Sequence, residues 1–195
     1  MGFRVGAELM DMEMVQFHPT GLLVGQNQIS GTVLEEGLRG AGALLLNDEG
    51  ERYMERYDPR LERATRDVVS RSSYMEIMAG RGTVDEGVLL DISHRGSDFV
   101  EKNFPGMTRR CRDVGFDLAR EPVTVSPTAH FNMGGIAIDP ECHTSLEGLY
   151  AAGEDASGAH GANRLGGNGV AESTVFGGIA GDVIARELSS PAQKS

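Results

Sequence analysis

HGANRLGGNG, at His160–Gly169, is the stretch that most constrains the fold, and it follows the apolar run GLYAAGE at Gly148–Glu154. The apolar run predicts a strand at 149–152, and the sequence after the glycine-dense loop predicts a helix over 170–188. A strand, a glycine-rich loop and a helix N-terminus form a site for a negatively charged or electron-rich group, because free N–H groups point at it. The stretch therefore predicts a ligand-binding loop, with a tight structural loop as the alternative.

Composition narrows the class of protein around this loop. The 195 residues, of which 39% are hydrophobic and 24% charged, are typical of a globular protein with one ordinary domain or two small ones. A net charge of -11 argues against nucleic-acid binding, which needs clustered cations. No apolar run approaches the length of a membrane span, and no secretory signal begins the chain, so we predict an intracellular protein. Cys111 and Cys142 form no disulfide framework.

The rest of the chain predicts short, alternating elements. A helix is predicted over 60–79, with Thr65 as a cap for its main part and Gly80 and Gly82 as its end. Asn47–Gly50 predicts a turn. The remaining predicted strands are 10–17, 43–46, 87–92 and 136–138, and the remaining predicted helices are 97–104 and 108–114.

Several motifs, taken together and in order, resemble the flavoprotein subunits of the succinate dehydrogenase / fumarate reductase family. Besides the two stretches above they are MEMVQFHPTG (Met12–Gly21), EEGLRGAGALLLNDEGERYM (Glu35–Met54), TRDVVSR (Thr65–Arg71) and PTAHFNMGG (Pro127–Gly135). The resemblance covers nearly the whole chain. It implies FAD as cofactor and a mixed fold, α+β or α/β, in which a fumarate reductase-type capping domain joins the returning C-terminal part of a Rossmann-like FAD domain.

The resemblance also implies domain boundaries. Residues 1–21 are expected to be an FAD-domain segment, 22–126 the capping domain, and 127–195 the returning FAD-binding segment. A GxGxxG fingerprint, with which the family grips the FAD pyrophosphate, does not occur in this sequence. The chain is therefore expected to lack the N-terminal dinucleotide-binding unit and the C-terminal helical domain, and to be inactive alone unless a partner chain supplies the nucleotide half.

Substrate binding is implied for four residues that match family motifs. Arg164 is similar to the family's carboxylate clamp, and a guanidinium suits this role because its rigid fork meets a carboxylate through two parallel bonds. His18 and His130 are similar to histidines that bind substrate carboxylates. Glu35 stands where the family usually has a Thr that contacts a carboxylate, so it is expected to repel a dicarboxylate unless it turns away or is protonated.

Catalytic roles are implied for three more residues. Arg66 matches the family's proton-transferring arginine, and Glu36 and Arg39 match the relay that supplies it with protons. From spacing alone, Glu36 and Arg39 would be an ordinary ion pair three residues apart. Six of these residues are expected to meet in one cavity against the flavin: His18, Glu36, Arg39, Arg66, His130 and Arg164. FAD contacts are implied for four residues of the glycine-rich region: Glu154, Asn168, Gly169 and Val170.

The reaction implied is the reversible conversion of succinate to fumarate, with a hydride passing to or from FAD and a proton moving through Arg66. This chemistry belongs to the tricarboxylic acid cycle and electron transport. An iron–sulfur subunit is an expected partner in some members, and a cytoplasmic location, peripheral on the inner membrane face through partner subunits, is implied. No nucleic acid and no direct membrane span are expected.

Three alternatives stay open from the sequence. An L-aspartate oxidase shares the HPT, RDVV and HGANR elements, although Met133 favours the succinate/fumarate branch, since the oxidases resemble HxTCGG at this motif. A non-catalytic capping module that needs a partner chain is the second. A metal site is disfavoured because four crowded ligands rarely surround an ion tetrahedrally. Its ligands would be Asp139, Glu141, Cys142 and His143.

Overall fold

The computed structural model describes residues 1–25 and 29–189. The chain forms two compact units: Phe17–His130 is one, and Met1–Gln16 with Phe131–Ser195 is the other. We refer to them as the central unit and the terminal unit. The domain boundaries expected from the sequence stay a prediction.

Strands and helices alternate along the chain. The strands are β1 (Leu9–Met10), β2 (Val15–Leu22), β3 (Leu44–Leu46), β4 (Val88–Asp91), β5 (Val123–Asn132) and β6 (Gly135–Ile136). The α-helices are α1 (Gly37–Gly40), α2 (Arg66–Glu76), α3 (Ser97–Asn103), α4 (Pro105–Arg112) and α5 (Asn168–Ser189). Short 3-10 helices lie at Gly2–Val5, Tyr53–Arg56, Leu61–Arg63, Ser93–Arg95 and Gly153–Asp155, and a π-helical turn at Ile77–Arg81 follows α2. The predicted strands at 43–46 and 87–92 and helices at 97–104 and 108–114 are confirmed within a few residues.

A four-stranded sheet, in the order β2-β5-β4-β3, organises the hydrophobic core of the central unit. β3 and β5 both pair antiparallel with β4. Val88 and Leu90 alternate with half-buried residues along β4, as expected when one face of a strand packs on a core. Each α-helix of this unit contributes a buried residue to the same core: Leu38 from α1, Val69 from α2, Val100 from α3 and Cys111 from α4.

The strand β2 differs from the strand that the sequence predicted in this region. A strand was predicted over 10–17 with His18-Pro19 ending it, whereas β2 runs from Val15 through Pro19 to Leu22. Proline lacks an N–H donor and is tolerated on edge strands, and β2 is an edge of the sheet. His18 therefore lies inside a strand, which fixes the direction of its side chain.

β5 was not predicted, because Pro127 lies in its middle and argues against a strand. The structure explains why proline is accepted there. β4 pairs with β5 only at residues 123–125, so Pro127 lies past the end of β4 and no donor to that strand is lost. His130 is carried near the end of this strand.

The long helix predicted over 60–79 is interrupted. Leu61 has a positive φ of 56° and Ala64 is extended, so a 3-10 turn comes first and α2 begins only at Arg66. Thr65 stands at the cap position as predicted, but its side chain makes no cap hydrogen bond. Gly80, with φ of 75°, ends the helical segment as predicted. Arg66 is thus the first helical residue rather than an interior one.

The terminal unit contains a two-stranded sheet, β1 with β6, and the long helix α5. The predicted strand at 136–138 is reduced to β6, and the predicted strand at 149–152 is wrong, since only an isolated bridge between His143 and Tyr150 forms there. A compact turn replaces it, in which Ala151 N–H donates to the Cys142 carbonyl at 3.2 Å. The helix predicted over 170–188 is confirmed, with two more residues at its start. Within the described ranges, none of the helices has the length and apolar character of a membrane span.

Candidate functional site

Glu36 joins two arginines in the central unit. Its Oε1 accepts a hydrogen bond from Arg39 Nη2 at 2.8 Å, and its Oε2 accepts bonds from Arg66 Nη2 at 2.9 Å and Nε at 3.1 Å. The ion pair expected between Glu36 and Arg39 therefore forms, and it extends to an arginine 30 positions later. One carboxylate therefore lies between two guanidinium groups, in the order Arg39–Glu36–Arg66 that the predicted relay requires, and the role of the relay stays a prediction.

Arg39 is the buried end of this chain of charges, with its side chain only 2% exposed. Burial lowers the pKa of Arg39, while the nearby carboxylate of Glu36 opposes that shift. A lower pKa eases loss of a proton from a group that otherwise stays charged. Arg39 Nη1 also donates to the main-chain carbonyl of Glu62 at 2.5 Å, so both Nη atoms have acceptors.

His18 and His130 face each other in the same unit. Their ring centroids are 5.2 Å apart and the rings cross at 72°. His18 is buried, and its Nδ1 accepts the Thr20 N–H at 3.3 Å. The Thr20 hydroxyl lies 3.2 Å from the same nitrogen, and in the tautomer that accepts at Nδ1 the proton is on Nε2, where it can be donated to an anionic ligand. His130 is exposed.

Hydrogen bonds tie β2, which carries His18, to the elements that carry the relay. Ser70 of α2 donates from its hydroxyl to the Phe17 carbonyl at 3.0 Å. Thr20 and Leu34 exchange two bonds, one from Leu34 N–H at 2.9 Å and one from the Thr20 hydroxyl at 2.8 Å. Leu34 is followed directly by Glu35 and Glu36, so β2 is connected to both sides of the relay.

The contacts of Glu35 differ from those of Glu36. It is exposed, and among the described residues its carboxylate makes no hydrogen bond or ion pair, although its main-chain carbonyl accepts the Leu38 N–H at 3.2 Å. Its carboxylate lies beside Gly37, where a Cβ would be 3.7 Å from Glu35 Oε1. The contact with substrate expected for Glu35 stays a prediction.

Arg164 lies in the terminal unit within a set of contacts that sequence reasoning missed. Its guanidinium carbon stacks 4.1 Å from the centroid of the Phe131 ring, and its Nη2 donates to Gln16 Oε1 at 3.2 Å. Gln16 Nε2 in turn donates to the Arg164 carbonyl and to Asn163 Oδ1, both at 2.6 Å. Gln16 and Phe131 are direct neighbours of Phe17 and His130 in the QFHPTG and TAHFNMGG motifs, which was the available signal.

The first turn of α5 holds three of the predicted FAD contacts. Gly169 and Val170 follow Asn168 at the start of the helix, and Val170 is 78% exposed. N–H groups in a first helical turn have no acceptor within the helix and carry the positive end of its dipole. A Cβ at Gly169 would lie 3.1 Å from the Phe131 ring and 3.4 Å from Arg164 Nη1, so glycine allows these two side chains to pack closely against the backbone.

The remaining predicted FAD contact, Glu154, is fixed against the same helix. Gly153 N–H donates to Glu172 Oε1 of α5 at 3.1 Å, and Glu154 Oε1 accepts the Asn132 N–H at 2.9 Å. An exposed helix N-terminus beside an anchored acidic turn fits the electron-rich edge of a flavin and the hydroxyl groups of its chain. The residues present therefore fit FAD.

The residues considered as metal ligands are engaged in other contacts. His143 lies between Asp139 and Glu187, with Nδ1 3.0 Å and Nε2 2.7 Å from their carboxylates. Cys142 is buried and its thiol donates to the Phe176 carbonyl at 3.4 Å. In the part of the chain that the structure describes, no group of three or more His, Cys, Asp or Glu residues has the geometry of a metal site.

Comparisons with known proteins agree with the motifs. The CoM/CoB fumarate reductase of Methanothermobacter marburgensis has a subunit that is 50% identical over 194 residues, covering 100% of this chain and 35% of that protein. L-aspartate oxidase of Pseudomonas aeruginosa is 41% identical over 197 residues, covering 100% and 36%. A mutant of E. coli quinol fumarate reductase FrdA has a TM-score of 0.87 at 37% identity, covering 100% of this chain and 35% of that chain.

These relatives are about three times as long as the chain, which spans 35% to 36% of them. The TM-score confirms the predicted fold class, a mixed fold of the fumarate reductase flavoprotein type. The family profile described as FAD binding domain matches residues 1–170, and FAD is confirmed as the cofactor. The chain therefore belongs to the FAD binding domain family, among the flavoproteins of the fumarate reductase and succinate dehydrogenase type.

Proposed function

We propose that this chain carries the dicarboxylate chemistry of an FAD-dependent oxidoreductase that interconverts succinate and fumarate. The observation that carries the proposal is Glu36 bonded at once to Arg39 and Arg66, because this arrangement can move protons to and from a substrate carbon. The similarity to one component of a fumarate reductase supports the same reaction.

Arg66 is the proposed proton donor to the substrate carbon in fumarate reduction and the acceptor in succinate oxidation. A guanidinium is a weak acid, with an ordinary pKa above about 12, and so it needs rapid resupply. Glu36 accepts from both arginines and can return a proton to Arg66, while Arg39 restores Glu36. The lowered pKa of Arg39, caused first by its burial, favours this direction of transfer.

Binding of the substrate carboxylates is proposed for His18 and His130 in the central unit and for Arg164 in the terminal unit. His18 offers an Nε2 donor because Thr20 occupies its Nδ1. Arg164 is pre-organised by Phe131 and Gln16, so little side-chain entropy is lost when it meets a carboxylate.

FAD supplies hydride transfer in this chemistry. Glu154 and the first turn of α5, at Asn168, Gly169 and Val170, are the proposed FAD-holding residues of this chain. Their role is to bind and orient, through exposed N–H groups and one carboxylate. An iron–sulfur subunit is a proposed electron partner, since one relative is named as part of a larger enzyme.

Oxidation of an amino dicarboxylate such as L-aspartate is the second candidate. Glu35 favours it, because an exposed carboxylate without a partner among the described residues can pair with a substrate ammonium group. The 41% identity to an L-aspartate oxidase agrees. Met133, in the HFNMGG motif, favours succinate and fumarate instead.

Arg66→Lys in the full-length protein tests the proposal. A lysine keeps the charge but loses the fork that binds Glu36 through two nitrogens, so kcat for fumarate reduction should fall at least about a hundredfold, with a much smaller change in KM. Dye-linked assays would measure fumarate reduction and succinate oxidation, and peroxide release would measure aspartate oxidation. The matched control is Arg71→Lys on the same helix, whose side chain is 69% exposed.

The assay results distinguish the two candidate functions. Turnover of succinate and fumarate that depends on Arg66 supports the proposal. Turnover of L-aspartate without succinate turnover supports the second candidate. An FAD-loaded protein with no activity on either substrate class contradicts both.

A further inference from the structure

Glu62 holds Arg39 from the side opposite Glu36. Its main-chain carbonyl accepts the bond from Arg39 Nη1 at 2.5 Å, whereas Arg39 Nη2 is used by Glu36. Rotation of the guanidinium would break both bonds together. The position of the Glu62 carbonyl therefore decides whether Arg39 stays aligned with Glu36.

The side chain of Glu62 is anchored by a separate set of bonds. Arg52 donates to it through two nitrogens, from Nε to Oε1 at 2.9 Å and from Nη2 to Oε2 at 2.6 Å. Leu45 N–H of β3 donates to Oε1 at 3.2 Å. With its side chain only 4% exposed, Glu62 has a carboxylate buried among donors in a fixed geometry.

The backbone at this point needs such an anchor. Leu61, which precedes Glu62, has φ of 56°, in the left-handed region that is sterically unfavourable for a residue with a Cβ. A strained turn relaxes unless its surroundings hold it. The contacts of the Glu62 carboxylate with Arg52 and Leu45 restrain the turn, and thereby the carbonyl that Arg39 binds.

We infer that Glu62 and Arg52 are positioning residues of the proton relay. They touch neither substrate nor cofactor, and they act through Arg39, whose alignment keeps Glu36 able to resupply Arg66. The inference rests on the proposed function for its kinetic consequence, but its structural content concerns the Arg39 guanidinium alone.

Glu62→Gln in the full-length, FAD-loaded protein is the test. The amide keeps an acceptor for Leu45 N–H but loses the charge that fixes both Arg52 nitrogens. We expect kcat for fumarate reduction to fall about tenfold to a hundredfold, because a displacement of about 1 Å in catalytic machinery costs about this much. KM should change by less than about twofold, since histidine ligands are untouched, and the solvent deuterium isotope effect on kcat should increase.

Glu76→Gln is the matched control. Glu76 is also buried, and Arg81 also binds it through two nitrogens, both at 2.8 Å, but it makes no contact with Arg39, Glu36 or Arg66. It should lower the thermal midpoint as much as Glu62→Gln does while leaving kcat and the isotope effect unchanged. Equal kinetic losses in the two variants would overturn the inference, because they would report general destabilisation.

Arg52→Lys covers the case in which Glu62→Gln fails to fold. It keeps one charged bond to Glu62, and we expect a smaller loss of kcat with the same increase in isotope effect. A crystal structure of either variant separates this inference from the proposed function. If the unaltered protein turns over neither substrate, the proposed function fails, and the inference then stands or falls on whether the Arg39 Nη1 to Glu62 carbonyl bond is lost in the variant.

Discussion

At the scale of single residues, the adjacent glutamates Glu35 and Glu36 differ in their contacts. Both carboxylate oxygens of Glu36 are bonded to arginines, whereas the carboxylate of Glu35 is exposed and has no partner among the described residues. Two bound guanidinium groups hold a carboxylate in one geometry, whereas an exposed carboxylate without such bonds can meet a cationic group of a ligand. We therefore propose Glu35 as the residue that discriminates between substrates by their charge.

Glu35→Thr should raise the affinity of the full-length protein for a dicarboxylate. Removal of one negative charge removes a repulsion, and a hydroxyl adds a neutral donor, so KM for succinate should fall about threefold to tenfold with kcat nearly unchanged. Steady-state kinetics at fixed ionic strength would measure this, with Glu49→Thr as the control, since Glu49 is also exposed. A rise in KM for succinate would show instead that Glu35 assists binding.

At the scale of elements, the two strands of the four-stranded sheet that the sequence did not predict correctly both contain proline. The apolar run at 87–92 predicted β4, and Gly80 predicted the end of the helical segment that begins with α2, because both signals are local. β2 and β5 were misplaced or missed, since Pro19 and Pro127 argue against strands and only the pairing of distant strands shows that both positions are permitted.

Candidate site residues were predictable by motif, but their supports were not. Glu36, Arg39 and Arg66 could be assigned to a relay from resemblance, yet nothing local linked Glu62 to Arg39 across 23 positions. The same holds for the bonds between Gln16 and Arg164, 148 positions apart. Contacts of this kind come from the tertiary fold, to which a single sequence gives no direct access.

The end of α5 is held by a small charged network. His143 lies between Asp139 and Glu187, and Tyr150 also donates to Glu187, while Arg186 pairs with Glu141 at 2.6 Å. Hydrogen bonds to Glu187 and then to Asp139 raise the pKa of His143. The pKa of Glu187 is lowered, first by its bond from Tyr150 and then by that from His143.

His143→Gln should loosen the C-terminal turns of α5 in a pH-dependent manner. Because the pKa of His143 is raised, its contribution is fully present below its ordinary pKa of about 6.5 and is lost as pH rises through the raised value. The lowered pKa of Glu187 means that the carboxylate's contribution is lost only as pH falls below its ordinary range, near about 4. The effect should therefore be largest at about pH 5.5 and vanish near about pH 9.

Amide hydrogen exchange over the last turns of α5 would measure this, with rates corrected for intrinsic pH dependence. His94→Gln, at an exposed histidine of the central unit, is the control. Protection that differs between His143→Gln and the unaltered protein equally at every pH would argue against protonation of His143 as the cause.

At the scale of the whole molecule, the two units differ in the number of apolar side chains that each one buries. All the residues of the main hydrophobic cluster, from Leu22 to Val125, belong to the central unit. The terminal unit buries far fewer apolar side chains among its described residues: Ala7, Phe131, Met133, Cys142, Ala156 and Val183. Burial of apolar surface is the main favourable term in folding, so the central unit has the means to fold alone.

A polypeptide of residues 15–132, which keeps β2 and β5 complete, should therefore fold without the rest of the chain. We expect one cooperative thermal transition and a free energy of unfolding of about 5 kcal/mol, the lower end for a domain of this size. Circular dichroism melts and a dispersed amide spectrum would test it, with Leu90→Ala as the destabilised comparison, since truncating a buried leucine costs about 2–5 kcal/mol. A broad transition that Leu90→Ala does not shift would mean that this core needs the terminal unit to become specific, and the relay of Arg39, Glu36 and Arg66 would then have no independent scaffold.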